Sequence, residues 1–388
     1  MHILHLTPYY VPAYAFGGVV RSCEGMARAL VRRGHRVTIL TTDVLNQTER
    51  CDCPADEMMD GVRVVRARNS SMWLRRQANL SIPLAMRQLA QQLLTDVDVL
   101  HCHEFRTLEN LLVTPIAAIM KKPLVLSPHG TLTHETGRSG LKAAWDKLLS
   151  PGLAQRFNHV IGLSQAEVYE AQALWPLFGA KAPFSAIPNG VDPQDYTNLT
   201  GRAAFRERYK LGDAPVCLFM SRLHRRKGVG LLIEAFKAAN VDGARLVIAG
   251  PDEGMLDLIQ LMLNEQVIYA GYLSGADRLA AFAGADMLAL PAVGEGLPMV
   301  VLEAMASGLP VIVSPGCNLP EVPEYGAGIE AEAALEPLRD ALRVLLADPI
   351  KRRAMGSAAQ ALVNAKFTWD TVALQLEAVY QQVAQSAP

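Results

Sequence analysis

The chain has 388 residues, half of them apolar, which is too long for one small core and too apolar for disorder, so two domains are expected. A net charge of −1 gives no general affinity for nucleic acid, and the longest apolar stretch, Leu111 to Met120, is too short to cross a bilayer. The six cysteines follow no zinc spacing and suit reduced thiols, with Cys51 and Cys53 an incidental pair in an acidic loop. The opening MHILHLTP lacks the charged region and long apolar core of a signal peptide. A cytoplasmic protein, at most peripheral to the inner face of a membrane, is therefore expected.

In chain order, HILHL, VTILTT, DVLHCH, PLVLS and HVIGLS are short apolar runs bounded by turns, the pattern of strands buried on both faces. Amphipathic stretches lie between them, such as Arg21 to Arg33, where Ala27, Leu30 and Val31 share a helix face. The periodicity stops at AIPNGVDPQDY, where Pro188, Asn189, Gly190 and Pro193 mark a turn. It resumes with VCLFMS, RLVIAG, VIYAGY, DMLALP and PVIVS. The predicted fold is α/β: two Rossmann-like, doubly wound domains, residues 1–193 and 194–371. Such sheets take ligands outside the carboxyl ends of their strands, and a central cleft between the domains is the expected site.

Three motifs stand at such strand ends. Gly17 and Gly18 precede a helix and would let backbone N–H groups approach an anion, although a glycine pair serves a tight turn equally well. They do not form the G-x-G-x-x-G fingerprint of an NAD enzyme. In the second domain, Ser221-Arg222 ends a strand and Lys227-Gly228 opens a helix. This places a planar fork and a point charge where a diphosphate could sit, while Arg225 and Arg226 between them read as solvated surface. Glu295 and Glu303 bracket the loop Gly296, Leu297, Pro298 and Met299 and the start of an apolar helix. A buried Glu303 needs a partner, and ribose hydroxyls would satisfy it; spacing alone leaves two unrelated glutamates as an alternative.

These residues carry a resemblance. EGLPMVVLEAMASGLPVIVS is similar to the Glu-x7-Glu signature of the retaining GT-B glycosyltransferases of family 4. GGVVRSCEGMARALVRRGHRVTILTT resembles that family's first βαβ unit, and SPHGT, GLSQAE, IPNGVD, SRLHRRKGVGLLIEAF, LVIAGPDEG and FAGADMLALP follow in the family's order. The resemblance implies that Arg222 and Lys227 hold the donor diphosphate, that Glu303 bonds the ribose, and that Glu295 and His129 lie beside the transferred sugar. It also implies that Gly17 and Gly18 meet the phosphates, that Tyr272 lies in the base-binding loop, and that a final helix over about 372–388 packs back on the first domain.

The expected reaction moves a sugar from a nucleoside-diphosphate donor to a hydroxyl of a glycan or lipid-linked oligosaccharide, with retention. UDP is favoured over GDP because Tyr272 offers one flat face. No Asp-x-Asp motif is expected near the site, so neither a metal nor a cofactor is called for, and the nucleotide sugar is a substrate. An inactive nucleotide-sugar binding subunit and a nucleotide-sugar 2-epimerase are the alternatives. The stretch from Gly61 to Thr95 has six arginines (Arg63, Arg66, Arg68, Arg75, Arg76, Arg87) and no acid. With Trp73 beside Arg75 and Arg76, it is either a solvated face or a contact for anionic lipid.

Overall fold

The computed structural model describes all residues except 79, 133–138 and 387–388. The chain divides into two compact units, Met1–Gly190 with Trp369–Pro388, and Val191–Thr368.

The first unit is built on β1 (His2–Leu6), β2 (Arg36–Thr42), β3 (Asp56–Met59), β4 (Val62–Ala67), β5 (Val99–His103), β6 (Leu124–Ser127), β7 (His159–Gly162) and β8 (Phe184–Ala186). They form one sheet in the order β3-β4-β2-β1-β5-β6-β7-β8. All neighbours run parallel except β3 and β4, a hairpin turned by Asp60 and Gly61 at φ 50° and 81°, the conformation such tight turns require. β1 and β5 are buried at every residue, their histidines included, as expected for strands covered on both faces.

The second unit contains β9 (Val216–Met220), β10 (Arg245–Ala249), β11 (Val267–Gly271), β12 (Met287–Leu290), β13 (Val311–Val313) and β14 (Gly328–Glu330). They form a parallel sheet in the order β11-β10-β9-β12-β13-β14. The order reverses between β1 and β5 in one unit and between β9 and β12 in the other. Helices leave for opposite faces at such a point, and a crevice opens at the carboxyl ends of the strands.

The chain breaks between units after Gly190 and again before Trp369, a few residues ahead of the expected 193 and 371. Trp369 explains both positions. A Cβ on Gly190 would lie 2.8 Å from the Trp369 backbone nitrogen, and one on Gly25 would lie 2.0 Å from its Nε1. Gly25 sits inside the helix Gly18–Arg32, where glycine costs about 1 kcal/mol relative to alanine, and its missing side chain is the slot that the indole fills. The final helix Trp369–Gln385 then runs along the first unit. Asp370 meets Arg32 at 3.0 Å, Glu377 meets Arg33 at 2.5 Å and His35 at 2.8 Å, and the Tyr380 hydroxyl reaches His101 at 2.7 Å.

The basic segment departs from expectation. VRVVRA forms β4, so its arginines alternate sides, and Arg63 pairs with Asp56 at 2.6 Å. Arg66 is buried, donating to Val11 O at 2.9 Å and Pro54 O at 3.0 Å and pairing with Glu57. Arg75, expected on a solvated face or against lipid, is only 1% exposed. Its guanidinium carbon stands 4.6 Å from the centroid of the Tyr9 ring and 4.7 Å from that of Phe16, because a planar cation is stabilised by aromatic faces more readily than an ammonium. Arg68, Arg76, Arg87 and Trp73 remain exposed. Cys51 and Cys53 stand side by side with Cα atoms 5.2 Å apart. The other four cysteines are free and buried. No helix among the described residues is long and apolar enough to cross a membrane.

Candidate functional site

In the second unit the chain leaves β9 through Ser221 and Arg222, makes a short helical turn over Arg225–Lys227, and enters the helix Val229–Ala239 at Gly228. Gly228 has φ 73°, and a Cβ there would lie 2.3 Å from Pro291 O. Only glycine permits this approach to the loop that leaves β12. The two loops are then stitched together: the Val293 N–H donates to Arg226 O at 2.8 Å, and the Arg226 guanidinium donates to Gly294 O at 2.6 Å. Arg226, expected as surface, is thus a brace.

The result brings Lys227 and Glu295 together across the sheet's reversal, with Nζ 2.5 Å from Oε1 and both side chains mostly buried. The Glu295 N–H donates to Gly316 O at 2.8 Å, and the Asn318 amide donates to Glu295 O at 2.5 Å, so the loop after β13 fixes the carboxylate's backbone. Arg222 is half-exposed and pairs with Glu253, from the loop after β10, at 2.9 Å. The loops after β9, β10 and β12 therefore carry two ion pairs, Lys227–Glu295 and Arg222–Glu253.

Glu303 lies in the helix Met299–Ala306 and is 1% exposed. Its partner is a cation, where the sequence suggested open ribose hydroxyls: the Arg278 guanidinium, from the helix Gly275–Gly284, forms an ion pair with it and lies 5.0 Å from the centroid of the Phe282 ring. A carboxylate this deep cannot stay charged without such compensation. The loop between the glutamates offers fewer donors than expected. Leu297, Pro298 and Met299 are buried, Gly296 is half-buried, and Pro298 has no N–H to give. Tyr272 follows β11 and is 53% exposed.

In the first unit Gly17 caps the helix Gly18–Arg32 with φ 87° and no side-chain cap, which leaves first-turn N–H groups for another acceptor. The preceding loop is packed by the Tyr9–Phe16 stack, 3.8 Å between centroids, with Arg75 against it. His129 follows β6 at φ 57° and Gly130 at φ 73°. Glu167 holds this bend: its carboxylate accepts from the Gly130 N–H, and from the Leu163 N–H at 2.7 Å. Burial pushes Glu167 up to about 7 against these hydrogen bonds. His129 is also the outer member of a row, with Nε2 2.8 Å from His103 Nδ1 and His103 Nε2 2.9 Å from His5 Nδ1. Glu104, at the end of β5, has φ 60°, and burial raises its carboxyl to about 7.

Sequence reasoning missed Arg278, Glu253, Glu104, Glu167 and the inner histidines. Two signals were present. DVLHCH places His101 and His103 on one face of β5, and the β1–β5 register sets His5 opposite His101. GPDEG follows β10, which neighbours the strand carrying Arg222. No local pattern marks Arg278, whose role exists only once its helix packs near Glu303.

The comparisons agree with this architecture. Residues 202–362 match the family model "Glycosyl transferases group 1", and residues 16–195 match "Glycosyltransferase Family 4". The chain is 32% identical to a GDP-mannose-dependent monoacylated alpha-(1-6)-phosphatidylinositol monomannoside mannosyltransferase of Corynebacterium glutamicum, over 66% of this chain and 70% of that one. It is 27% identical to a glycogen synthase of Mycobacterium tuberculosis over 98% and 94% of the two chains. Among solved structures, an Anabaena protein in complex with UDP and glucose superposes with a TM-score of 0.74 at 20% identity, covering 98% of this chain and all (100%) of that one. With two Rossmann-like units, parallel sheets and these relatives, the chain belongs to the GT-B glycosyltransferases of family 4, the glycosyl transferases group 1.

Proposed function

We propose that the protein transfers a hexose from a nucleoside-diphosphate sugar to a hydroxyl of a glycan or lipid-linked oligosaccharide, with retention of anomeric configuration and without a metal. The observation that carries this reading is the Lys227–Glu295 pair at the β9–β12 reversal, with Arg222 ahead of the lysine on the same loop. Two cations there suit a departing diphosphate, whose charge grows in the transition state, and preorganised charges stabilise that growth without reorganising. In this reading Arg222 exchanges Glu253 for phosphate, Lys227 spans phosphate and Glu295, and Glu295 faces sugar hydroxyls. Glu303, held ready by Arg278, accepts from the ribose. Gly17 and Gly18 offer N–H groups to phosphate, and His129 acts on the sugar. Gly296, Leu297 and Pro298 shape the wall of the donor site.

Tyr272 favours uridine as the stacked base, while the similarity to GDP-mannose-dependent enzymes favours guanosine. Thermal shift with UDP, GDP and ADP separates them. The deciding assay is release of the nucleoside diphosphate from a sugar donor, with and without glycan acceptors, in EDTA. NMR of the product's anomeric proton reads the stereochemistry. An inverted anomer would reject retention, and activity recovered only with magnesium would reject the metal-free reading.

The exposed Trp73 with Arg76 and Arg68 supports peripheral contact with anionic membrane, a lipid-linked acceptor being the reason for it. Co-sedimentation with anionic but not neutral vesicles, released by salt, is the expected result.

A further inference from the structure

The first unit contains a row of imidazoles whose two inner members, His5 and His103, have no part in the reading above. His5 and His103 are fully buried, and they join His129 through two ring-to-ring contacts, His5 Nδ1 to His103 Nε2 at 2.9 Å and His103 Nδ1 to His129 Nε2 at 2.8 Å. At the inner end, His5 Nε2 is buried with no hydrogen-bond partner. At the outer end, His129 is half-buried and its Nδ1 has no partner among the described residues. Two nitrogens on one tetrahedral zinc, bound at about 2.0–2.1 Å, stand roughly 3.3 Å apart. The shorter contacts here suit a shared proton.

Burial keeps all three rings neutral near pH 7, with His5 lowered to about 3, His129 to about 4 and His103 well below its usual value. Each ring therefore carries one proton, and each contact needs one. Only two arrangements satisfy both conditions: every ring protonated on Nδ1, or every ring protonated on Nε2. The second leaves the His5 Nε2–H buried without an acceptor, and orphaned buried N–H groups are the rarer fault in folded proteins. The first leaves only a lone pair there and points an N–H outward at His129.

We infer that His103 and His5 are positioning residues that hold His129 in its Nδ1–H tautomer, so that the one ring nitrogen outside the row is a hydrogen-bond donor. Its catalytic consequence rests on the reading above, in which His129 acts on the sugar: a donor there serves a sugar oxygen, whereas the other tautomer would present a lone pair. Glu167, clamping Gly130, fixes where that donor stands.

Long-range ¹H–¹⁵N spectra of histidine-labelled protein test the tautomer without any substrate. His5, His103 and His129 should all show protonated Nδ1 and bare Nε2; protonated Nε2 on all three, or stoichiometric zinc in the purified protein, would overturn the inference. In His103→Leu the His129 signal should become a tautomer mixture, and kcat should fall about tenfold with donor KM within about twofold, the effect of one hydrogen bond. His103→Asn, whose amide N–H can donate to the same Nε2, should restore both the Nδ1–H signal and kcat. Failure of His103→Asn to restore the signal would overturn the positioning role. A tautomer that changes as expected while kcat does not would instead reject the assignment of His129 to the sugar and leave the row standing.

Discussion

Lys227 Nζ lies 2.5 Å from Glu295 Oε1, and this ion pair ties the loops after β9 and β12 across the point where the second sheet reverses. The lysine proposed to meet phosphate is thus already shared with the glutamate proposed to meet sugar. Glu295→Gln removes the competing charge. Free nucleoside diphosphate should then bind equally well or up to about tenfold more tightly, while sugar transfer falls by roughly 10². Calorimetry with the nucleotide and a release assay measure the two effects, and weaker nucleotide binding in Glu295→Gln would contradict the sharing.

Glu303 is 1% exposed and paired with Arg278. Breaking one side of such a pair leaves a buried charge, so Glu303→Ala should destabilise the second unit by about 3–5 kcal/mol. Arg278→Met in the same chain should recover much of that loss. Urea unfolding of the two single variants and the double variant gives the coupling; additive losses would mean that the pair does not hold the helices together.

Arg222 and Glu253 form a half-exposed pair at 2.9 Å, which is worth at most about 1 kcal/mol to folding. Glu253→Gln should therefore leave stability unchanged. Arg222→Ala should lower turnover by about 10²- to 10³-fold, the cost of one transition-state donor. Equal turnover in Arg222→Ala and the parent would place the diphosphate elsewhere.

The first unit sets opposing titrations against each other. Burial lowers His5 to about 3 and His129 to about 4, and lowers His101 and His103 well below 6.5. Their contribution is present above pH 6.5 and is lost as pH falls toward the folded values. Burial raises Glu104, Glu109 and Glu167 to about 7 from 4.5. Their contribution is full below pH 4.5 and is lost as pH rises through about 7. Between pH 6.5 and 4.5 the four histidines outweigh the three carboxyls by one proton, and below 4.5 only the histidine loss remains. Stability should fall with pH by about 1.4 kcal/mol per unit over the first window and more steeply beneath it. Glu109→Gln removes one compensating carboxyl and should add a loss of about 1.4 kcal/mol per pH unit within that window. Parallel slopes in the variant and the parent would contradict this.

Much of this architecture is legible in the residues themselves. The runs that form β9 and β12 are continuously apolar because parallel strands are covered on both faces, and the break at Gly190 shows as a loss of periodicity. Arg222 and Lys227 can be singled out because one follows a strand and the other precedes a helix, and Glu295 because it starts the Gly/Pro loop ahead of an apolar helix. Less legible are features that arise only through packing. Arg75 reads as solvated surface or a lipid contact in SMWLRRQANL until the loop after β1 brings Tyr9 and Phe16 against its guanidinium. Glu303 reads as an open acceptor until Arg278 arrives from another helix. VRVVRA carries too many arginines to read as a strand, yet Arg63 and Arg66 find Asp56 and Glu57 on the partner strand β3.

The most direct measurement is the rate at which purified protein releases nucleoside diphosphate from UDP- and GDP-linked hexoses in EDTA, with a glycan acceptor present, compared between the parent and Lys227→Ala. Acceptor-dependent release by the parent, lowered about 10²- to 10³-fold in Lys227→Ala, is the expected result. No release from either donor, or equal release by both proteins, would contradict a transferase whose charge stabilisation is built on the β9–β12 strand ends.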